Sequence, residues 1–597
     1  MTWRTLLFLC LLGGAFGCGA DPQPGSETTS SDPSTIEFKR TTDEAVVAMG
    51  TEPNGLNPLL STQAYARYVN ELIFQTLNEK DPETFEQIPA LASLPEVRTE
   101  AGGKTSYAYE INPKATWPNG LPVTAQDVVF SLKAMLNPLV EAGPYRAYYS
   151  MIENVVTNPG NERRFRIVTD EPYLITEEVL GSIWVYPEYA YDPDLLLRGV
   201  KFSDLANEAT ANRLAERNEA LGTFAETFSR PERGRDADKV VGSGPYALEN
   251  WEAGQRIVLR KRDNYWAGGS DNVKLTDGPE TILFEFISDA NTVGNALRDE
   301  MVDVVLSPTL DQFQELREDA YLKDRYTFGT TPSFKYFGIL LNERDPLLAD
   351  KRTRRALAHV VDIDRIIAQL FPGLAERVTG PILPAKSYYD SNQEPLAYDL
   401  DKARELLAAA GWEDTNGDGT VDKEIEGERR ELSFQLFSFD SPLSEAVTLI
   451  TAEGGRQVGM DIEVIKLEGR ALYGRLNAGD FVASIYGLAF QPGPEDLTQN
   501  WASSAVPPNG TNRGGFSNPE ADRLIAQIRS TTDAEARRPL YQRFQEIVYD
   551  DQPMVFLFSP LDRIIVSKRF AFEQSSITPN VLLNTLEQQD WNQQSTK

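Results

Sequence analysis

The chain has 597 residues, of which 41% are hydrophobic and 25% are charged, which is enough for a large core divided among several lobes. Its formal net charge is −31, and the acidic residues are spread along the whole chain. Nucleic acid is therefore not an expected partner, because binding to phosphates requires clustered lysine and arginine. One histidine and two cysteines leave little material for a zinc site or a thiol nucleophile.

The N-terminus carries a short apolar segment that ends at a cysteine. Residues 6–16 would rise only about 16 Å as a helix, which is too short for the roughly 30 Å of bilayer hydrocarbon. Residues 1–17 are typical of a secretory signal peptide. The segment AFGC resembles the lipobox of bacterial lipoproteins, which implies a lipid on Cys18; secretion with an idle Cys18 is the alternative. Residues 18–36, rich in Gly, Pro, Ser and Thr, predict a flexible linker.

The folded part is predicted to open with a strand, a turn and a helix. Ala45–Met49 is an apolar run followed by turn-forming residues, which predicts a strand. Apolar residues recur at helical spacing from Tyr68 to Leu77, which predicts a helix ending at Asn78. This alternation indicates a mixed α/β architecture.

Later stretches extend the same pattern. Thr124 and Asp127 stand at the N-cap and N3 positions of a helix, an arrangement like a capping box. Two alternating strands flank a turn at residues 252–254. His359 lies in the helical pattern RRALAHVVDIDRII, which favours a place in the core or on the helix surface over the role of a catalytic base.

The segment DTNGDGTVDKEIEG has the ligand spacing of a calcium-binding loop. An EF-hand-type loop takes oxygen ligands from positions 1, 3, 5, 7 and 9, and Gly419 stands at the sharp sixth position. The match is partial, because position twelve is Ile425 and not glutamate. One structural calcium ion and a plain turn between helix and strand both remain open, and no other cofactor is expected. The candidate ligands are Asp414, Asn416, Asp418, Thr420 and Asp422.

A series of motifs resembles one protein family in order and spacing. They include TEPNGLNP, TWPNGLPVTAQDVVFSL, VVGSGPYALENWEAGQRIVLRKRDNYWAG, ADKRTRRALAHVVDIDRII, YDLDKARELLAAAGW and NRGGFSNPEADRLI. The family is the family 5 extracellular solute-binding proteins of ABC importers, which include oligopeptide- and dipeptide-binding proteins. The resemblance covers roughly residues 40–565. It implies an α/β, bilobal periplasmic-binding-protein fold of the large type II class, with an extra inserted lobe and two hinge crossings.

The resemblance also implies the positions of the lobes. Lobe I would take residues 37–85, 237–330 and 551–597, the inserted lobe II residues 86–236, and lobe III residues 331–550. Hinges are expected in TTPSFKYFGILLN and DDQPMVFLF, short extended segments that can absorb a rotation. Members of the family close their lobes around a small solute or short peptide and deliver it to the permease and ATPase of the importer. We expect a monomer in the periplasm or at the cell surface, held to the membrane through Cys18.

The expected ligand site departs from that of the peptide-binding members. In those members an aspartate that follows a GDFD strand pairs with the α-amino group of the peptide. Here the strand reads GDFV, and Phe490 or Gln491 stands where that aspartate is expected, so Glu495 and Asp496 are the candidate substitutes. The resemblance favours peptides, while sugars, opines and metal chelates stay open.

Two strips of chain are the candidate ligand contacts. The strip in lobe I is expected to offer backbone hydrogen bonds in the manner of an added strand. The strip in lobe III contains candidate aromatic walls, for which core packing is the alternative. The candidates are Ala64, Tyr65, Ala66, Arg67, Tyr486, Gly487, Leu488, Ala489, Phe490, Gln491, Glu495, Asp496 and Trp501.

Two other functions are compatible with the sequence. A surface lipoprotein hydrolase would act through two carboxylates, but 89 acidic residues leave no pair that stands out. A sensor would use the same binding fold. We expect no enzymatic activity, because the sequence lacks the P-loop, the nucleophile elbow and the H-E-x-x-H motif.

Overall fold

The computed structural model describes residues 38–40, 42–170 and 173–589. The predicted signal peptide, Cys18 and the linker lie outside these residues, so the corresponding predictions stay untested. Across the described ranges, no helix combines the length and the apolar character that crossing a membrane requires.

The strands in chain order are β1 Glu44–Met49, β2 Asn78–Lys80, β3 Gln87–Pro89, β4 Glu96–Thr99, β5 Thr105–Glu110, β6 Ile152–Asn158, β7 Asn161–Thr169, β8 Tyr246–Glu252, β9 Arg256–Lys261, β10 Thr281–Phe286, β11 Val304–Leu306, β12 Tyr326–Pro332, β13 Lys335–Leu341, β14 Ala375–Arg377, β15 Asp422–Ile425, β16 Glu428–Glu431, β17 Ser433–Phe439, β18 Asp461–Leu467, β19 Ala483–Ala489, β20 Met554–Ser567, β21 Phe570–Ala571 and β22 Glu587–Gln588.

The α-helices are α1 Ala64–Ile73, α2 Ala125–Leu136, α3 Gly143–Tyr149, α4 Thr176–Gly181, α5 Glu188–Tyr191, α6 Phe202–Ala206, α7 Glu208–Ala215, α8 Glu219–Phe228, α9 Ala290–Arg298, α10 Leu310–Glu318, α11 Ala320–Arg325, α12 Lys351–His359, α13 Ile363–Leu370, α14 Leu400–Ala409, α15 Pro442–Arg456, α16 Gly469–Ala478, α17 Thr498–Trp501, α18 Pro519–Ser530 and α19 Ala534–Asp551.

One large mixed sheet runs through the molecule, and its long strand β20 joins two halves. The strand order is β18-β17-β19-β13-β20-β11-β1-β10-β9-β8, and β12 and β14 also pair with β20. Residues 554–558 of β20 pair with β13, whereas residues 561–567 pair with β12. The chain crosses a second time in the short link between β12 and β13. Two adjacent extended crossings therefore connect two lobes, as a hinged protein requires.

The inserted lobe packs on lobe I without a break. Its four-stranded sheet, β4-β5-β7-β6, and the helices α2–α8 fall within the predicted residues 86–236. Phe130 of α2 and Val47 of β1 belong to one continuous cluster of buried apolar residues. The part of the lobe III core around Trp501 is a different cluster, whereas another part, which includes Ile339, is continuous with Val46 of lobe I.

One predicted lobe boundary differs from the strand pairing. The sequence predicts that lobe I resumes at residue 551, but residues 554–558 pair with β13 of lobe III. The pattern of apolar residues along a strand does not record where the strand changes partners, so the boundary at residue 551 stays a prediction. The other boundaries stay predictions.

The first helix also ends earlier than its apolar pattern predicts. α1 stops at Ile73, and Asn78 already begins β2. The carbonyl oxygen of Ile73 accepts a hydrogen bond from the backbone nitrogen of Gly244 at 2.8 Å, and not from a further turn of helix. A Cβ at Gly242 would lie 2.2 Å from that carbonyl oxygen, so only glycine lets this loop close over the helix end.

Several local predictions are confirmed. A strand covers Ala45–Met49, and strands β8 and β9 flank the turn at residues 252–254. Thr124 and Asp127 form the capping box of α2, with the Thr124 nitrogen 2.9 Å from the Asp127 carboxylate. His359 is buried at the end of α12, and its Nδ1 lies 2.8 Å from the carbonyl oxygen of Ala397, which gives it a structural place.

Lobe I contains a buried ion pair. Nε and Nη2 of Arg569 lie 2.6 and 2.8 Å from the two carboxylate oxygens of Asp303, and both side chains are less than 5% exposed. Asp303 also accepts a hydrogen bond from the backbone nitrogen of Val46 at 2.8 Å. Arg569 donates to the carbonyl oxygen of Thr42 at 2.9 Å. The pair thus fastens the start of β1, the start of β11 and the end of β20 together.

Candidate functional site

The loop after β19 is a point at which lobe III meets both of the other lobes. It comprises residues 491–495, Gln-Pro-Gly-Pro-Glu, and we call it the bridging loop. Its two prolines have no backbone N–H to donate to a neighbouring strand, and Gly493 has a φ of 110°, which is not an extended-strand conformation. The residues of the loop themselves therefore prevent the strand from continuing. A Cβ at Gly493 would lie 2.7 Å from Oε2 of Glu178, which belongs to lobe II.

Lobe III holds the bridging loop from within through Lys386. Its Nζ donates to the carbonyl oxygens of Gln491 and Gly493, the latter at 2.6 Å. The same Nζ lies 3.2 Å from Oε1 of Glu495 and 5.1 Å from the centroid of the Phe334 ring. The Lys386 side chain is 1% exposed. Its ammonium group is therefore enclosed by oxygen acceptors and an aromatic face.

Glu495 is a buried carboxylate whose charged partner is Lys386. Apart from that ion pair, its carboxylate oxygens make no hydrogen bond to any residue that the structure describes. Burial raises the pKa of Glu495 and lowers the pKa of Lys386, and the charge of each opposes the shift of the other. Removing either side chain alone would leave a buried charge without a counter-ion.

Two stacked tyrosines complete the support of the loop. The rings of Tyr388 and Tyr541 lie 4.0 Å apart at an angle of 18°. The Tyr388 hydroxyl donates to the carbonyl oxygen of Gly493 at 2.9 Å, and the backbone nitrogen of Glu495 donates to the Tyr541 hydroxyl at 2.9 Å. Side chains of lobe III therefore fix a loop that no strand ladder holds.

A lysine from the other side of the cleft also reaches the bridging loop. Nζ of Lys80, at the end of β2, donates to the carboxylate of Glu178 and to the carbonyl oxygen of Pro492. Lys80 and Glu178 are each only about one fifth exposed (17% and 22%). This contact joins all three lobes at one point.

A second contact between lobes II and III lies beside the first. The Tyr173 hydroxyl donates to Oδ2 of Asp496 at 2.7 Å, and burial together with this carboxylate raises the pKa of Tyr173. The backbone nitrogen of Leu174 donates to the carbonyl oxygen of Arg529 at 3.0 Å. The Arg529 guanidinium lies 5.0 Å from the Tyr173 ring centroid. Asp496 is therefore already engaged by lobe II.

Two cavities lie near the predicted ligand strips. One of about 490 Å³, including space open to solvent, is lined by Tyr68, Glu71 and Lys274 among others, and burial raises the pKa of Glu71. The other, of about 300 Å³, lies beside Tyr486 and Trp501 in lobe III.

Comparison with known proteins identifies the family. The profile described as "Bacterial extracellular solute-binding proteins, family 5 Middle" matches residues 86–508, more than half of the chain. The chain belongs to this family. It is 26% identical over 522 residues to the oligopeptide-binding protein AppA of Bacillus subtilis (strain 168), covering 87% of this chain and 86% of AppA. It is 21% identical over 533 residues to the probable D,D-dipeptide-binding periplasmic protein DdpA of Escherichia coli (strain K12), covering 88% and 90%.

Solved structures show the same fold. The complex of Bacillus subtilis AppA with a nonapeptide has a TM-score of 0.60 and 23% identity, covering 92% of this chain and 99% of that chain. HbpA2 from Haemophilus parasuis has a TM-score of 0.72 and 19% identity, covering 92% and 100%. The predicted family and the bilobal α/β fold with an inserted lobe are thus confirmed.

In this solute-binding protein, the strip predicted in lobe I is helical. Residues 64–67 form the first turn of α1, so the extended edge predicted there does not form. Ala64 is exposed and Ala66 is fully buried. Arg67 donates to Oγ1 of Thr578 at 2.9 Å, and Tyr65 lies edge-on to Tyr68. The helical spacing from Tyr68 onward was the available signal for a helix at these residues, because α1 extends one turn further toward the N-terminus than that spacing.

The strip predicted in lobe III lies on a central strand and its end. Tyr486, Gly487, Leu488 and Ala489 belong to β19, and Phe490 and Gln491 follow it. Tyr486 is buried, and its hydroxyl accepts a hydrogen bond from Arg513. Ala489 and Gln491 are exposed.

Trp501 lies in the core of lobe III. Its ring centroid is 6.0, 6.2 and 6.4 Å from those of Phe516, Phe544 and Phe556, and the residue is 4% exposed. Core packing, the alternative to an aromatic wall, describes its main contacts.

The predicted calcium loop is a turn between α14 and β15 that is held by its own side chains. The Asp414 carboxylate accepts a hydrogen bond from the backbone nitrogen of Gly417 at 2.7 Å. Asp422 pairs with Arg429. In the described part of the chain, no three His, Cys, Asp or Glu side chains gather into a group that could hold a metal ion. The remaining candidate ligands are Asn416, Asp418 and Thr420. Bound calcium stays an untested prediction.

Four residues around the bridging loop and Asp496 were missing from the predicted site. They are Lys80, Tyr173, Glu178 and Lys386. Lys386 lies in the stretch PILPAKSYYD, which has no motif, and its acceptors are 105 and 107 positions away. The Pro-Gly-Pro of the bridging loop was the one local signal for a rigid loop after the strand.

Proposed function

We propose that this chain is the extracytoplasmic receptor of an ABC importer, that it closes its lobes around a peptide, and that it presents the peptide to a permease and its ATPase. It acts as a monomer, catalyses no reaction and is anchored by a lipid on Cys18. The match of residues 86–508 to the solute-binding family carries the proposal. The names of AppA and DdpA, an oligopeptide binder and a probable D,D-dipeptide binder, support peptides as the cargo.

The geometry suits capture by closure. Lobe III turns relative to lobes I and II about β20 and the link between β12 and β13. The bridging loop, held rigid by Lys386 and Tyr388, meets Lys80 and Glu178 from the other side. A ligand that touches both sides binds the closed form better than the open form, and this difference shifts the population toward closure.

The N-terminal segment supports the proposed place of action. A linker of residues 18–36 would span roughly 20–25 Å as a random coil. That reach lets a lipid on Cys18 keep the receptor beside its importer while the lobes stay in water.

A non-peptide solute in the same transport role is the second candidate. It is favoured because both carboxylates that could pair with a ligand amine already have partners within the protein. Glu495 pairs with Lys386, and Asp496 accepts a hydrogen bond from Tyr173. Sugars, opines and metal chelates remain the alternative cargo.

Mass spectrometry of the chain purified from membranes in detergent tests both parts of the proposal. Under native conditions, after incubation with a mixture of short peptides, we expect one intact peptide per chain. Under denaturing conditions the peptide is expected to leave, while a covalent diacylglyceryl and fatty-acyl addition remains. Cys18→Ser is the control, and it should lose the covalent addition and keep the peptide.

The peptide assignment and the lipid anchor can be disproved independently. A reproducible adduct of a non-peptide solute would replace the peptide assignment. Peptide fragments in place of intact peptides would indicate a hydrolase. A wild-type chain without acyl groups would disprove the lipid anchor.

A further inference from the structure

Three consecutive carbonyl oxygens of the bridging loop accept hydrogen bonds from lysine ammonium groups. Lys386 of lobe III donates to Gln491 and Gly493, and Lys80 from the opposite side donates to Pro492. The Glu495 carboxylate lies 3.2 Å from the same Lys386 nitrogen. Carbonyl oxygens and a carboxylate converging on one nitrogen make a binding site for an ammonium group.

This site is built into the interior of lobe III. The Lys386 side chain is 1% exposed and Glu495 is 8% exposed, so neither belongs to a solvated surface cluster. The Phe334 ring closes one side at 5.1 Å, and the Tyr388 hydroxyl, which donates to Gly493 at 2.9 Å, holds the loop in register. The chain therefore occupies its own ammonium site with its own side chain.

We propose that Lys386 determines ligand specificity by filling this site, so that the protein accepts ligands whose amino end is blocked or uncharged as readily as ligands with a free α-ammonium group. The inference rests on the proposed function as far as peptides are concerned. An incoming ammonium group would find its acceptors already engaged, so a free amino end would gain no more there than a blocked one.

The proposal predicts how the ligand preference changes when Lys386 is removed. In Lys386→Ala the two carbonyl oxygens and Glu495 lose their cation, which leaves a buried carboxylate that favours any ammonium group able to reach it. The variant would then discriminate between free and acetylated amino ends, which a merely structural lysine would not cause.

Calorimetric titration with one peptide in two forms, with a free and with an acetylated N-terminus, measures this preference in the full chain. For the wild type we expect dissociation constants that agree within about threefold, and for Lys386→Ala a preference of about tenfold or more for the free amine. Lys402→Ala removes an exposed lysine of the same lobe, paired with Glu405, and should behave as the wild type. A wild type that loses tenfold or more on acetylation overturns the proposal.

A second readout does not depend on peptides. Propylammonium chloride should raise the melting temperature of Lys386→Ala above its value in sodium chloride of equal ionic strength, and leave the wild type unchanged. If the variant does not fold alone, its recovery on refolding in propylammonium gives the same answer. No difference between the two salts would overturn the proposal. If no peptide binds, the proposed function fails, while this measurement still shows whether the site that Lys386 fills accepts an ammonium group.

Discussion

Replacing Arg569 with methionine is expected to lower the free energy of unfolding of lobe I by on the order of 3 kcal/mol. Methionine replaces the aliphatic part of the arginine side chain but has no charge. The carboxylate of Asp303 therefore stays buried without its main counter-ion. The loss should fall near the lower end of the range for buried pairs, because Arg40 also donates to Asp303 at 3.2 Å. Urea unfolding followed by tryptophan fluorescence and circular dichroism measures the change.

Arg260→Met is the matched control in the same lobe. Arg260 pairs with Glu249 across β8 and β9 at 3.2 Å, but the two side chains are 52% and 43% exposed. We expect a loss below about 1 kcal/mol, as for exposed pairs in general. Equal losses in the two variants would show that the buried pair does not hold the strands of lobe I together.

Gly493→Ala is expected to weaken ligand binding by about tenfold or more, because it interferes with the contact between the lobes. The added Cβ would lie 2.7 Å from Oε2 of Glu178 and 3.2 Å from Nζ of Lys80. Relief of this clash requires the ends of the Glu178 and Lys80 side chains to shift away from Gly493, which disturbs their contacts with the bridging loop. The clash exists only where the lobes meet, so the closed form loses more than the open form. Calorimetric titration with the ligand found by mass spectrometry measures the effect.

Backbone strain at Gly493 needs its own control, because a φ of 110° is unfavourable for alanine in open and closed forms alike. Gly419→Ala supplies it, since Gly419 has a φ of 96° and no atom lies within 4 Å of its added Cβ. This variant should lose stability but keep the affinity of the wild type. An unchanged affinity in Gly493→Ala would mean that the bridging loop takes no part in closure.

Most of the fold was predictable because its signals are local or ordered along the chain. The capping box of Thr124 and Asp127 lies within four residues, and the strand at Ala45–Met49 is a continuous apolar run. The end of α1 was not predictable from its own residues. The carbonyl oxygen of Ile73 accepts a hydrogen bond from the backbone nitrogen of Gly244, which lies 171 positions later in the chain. This tertiary contact therefore overrides the helical pattern of the sequence.

The candidate site was less predictable for the same physical reason. Sequence reasoning drew attention to residues 486–491, 495 and 496, and the bridging loop shares only Gln491 and Glu495 with them. It gave no indication that Lys386 occupies the acceptors of that loop, because a buried lysine and its partners share no local pattern. The partners of Lys80 illustrate the range, since Glu178 is 98 and Pro492 is 412 positions away. Long-range charge pairing of this kind appears only when the chain is folded.

Small-angle X-ray scattering of the purified chain, with and without a saturating ligand, tests capture by lobe closure most directly. The two crossings at β20 and between β12 and β13 are the proposed hinge, and a ligand that touches both lobes would favour the closed form. We predict a smaller radius of gyration for the liganded protein than for the free protein. A ligand shown by calorimetry to be bound one to one, with a radius of gyration that does not change, would contradict capture by lobe closure.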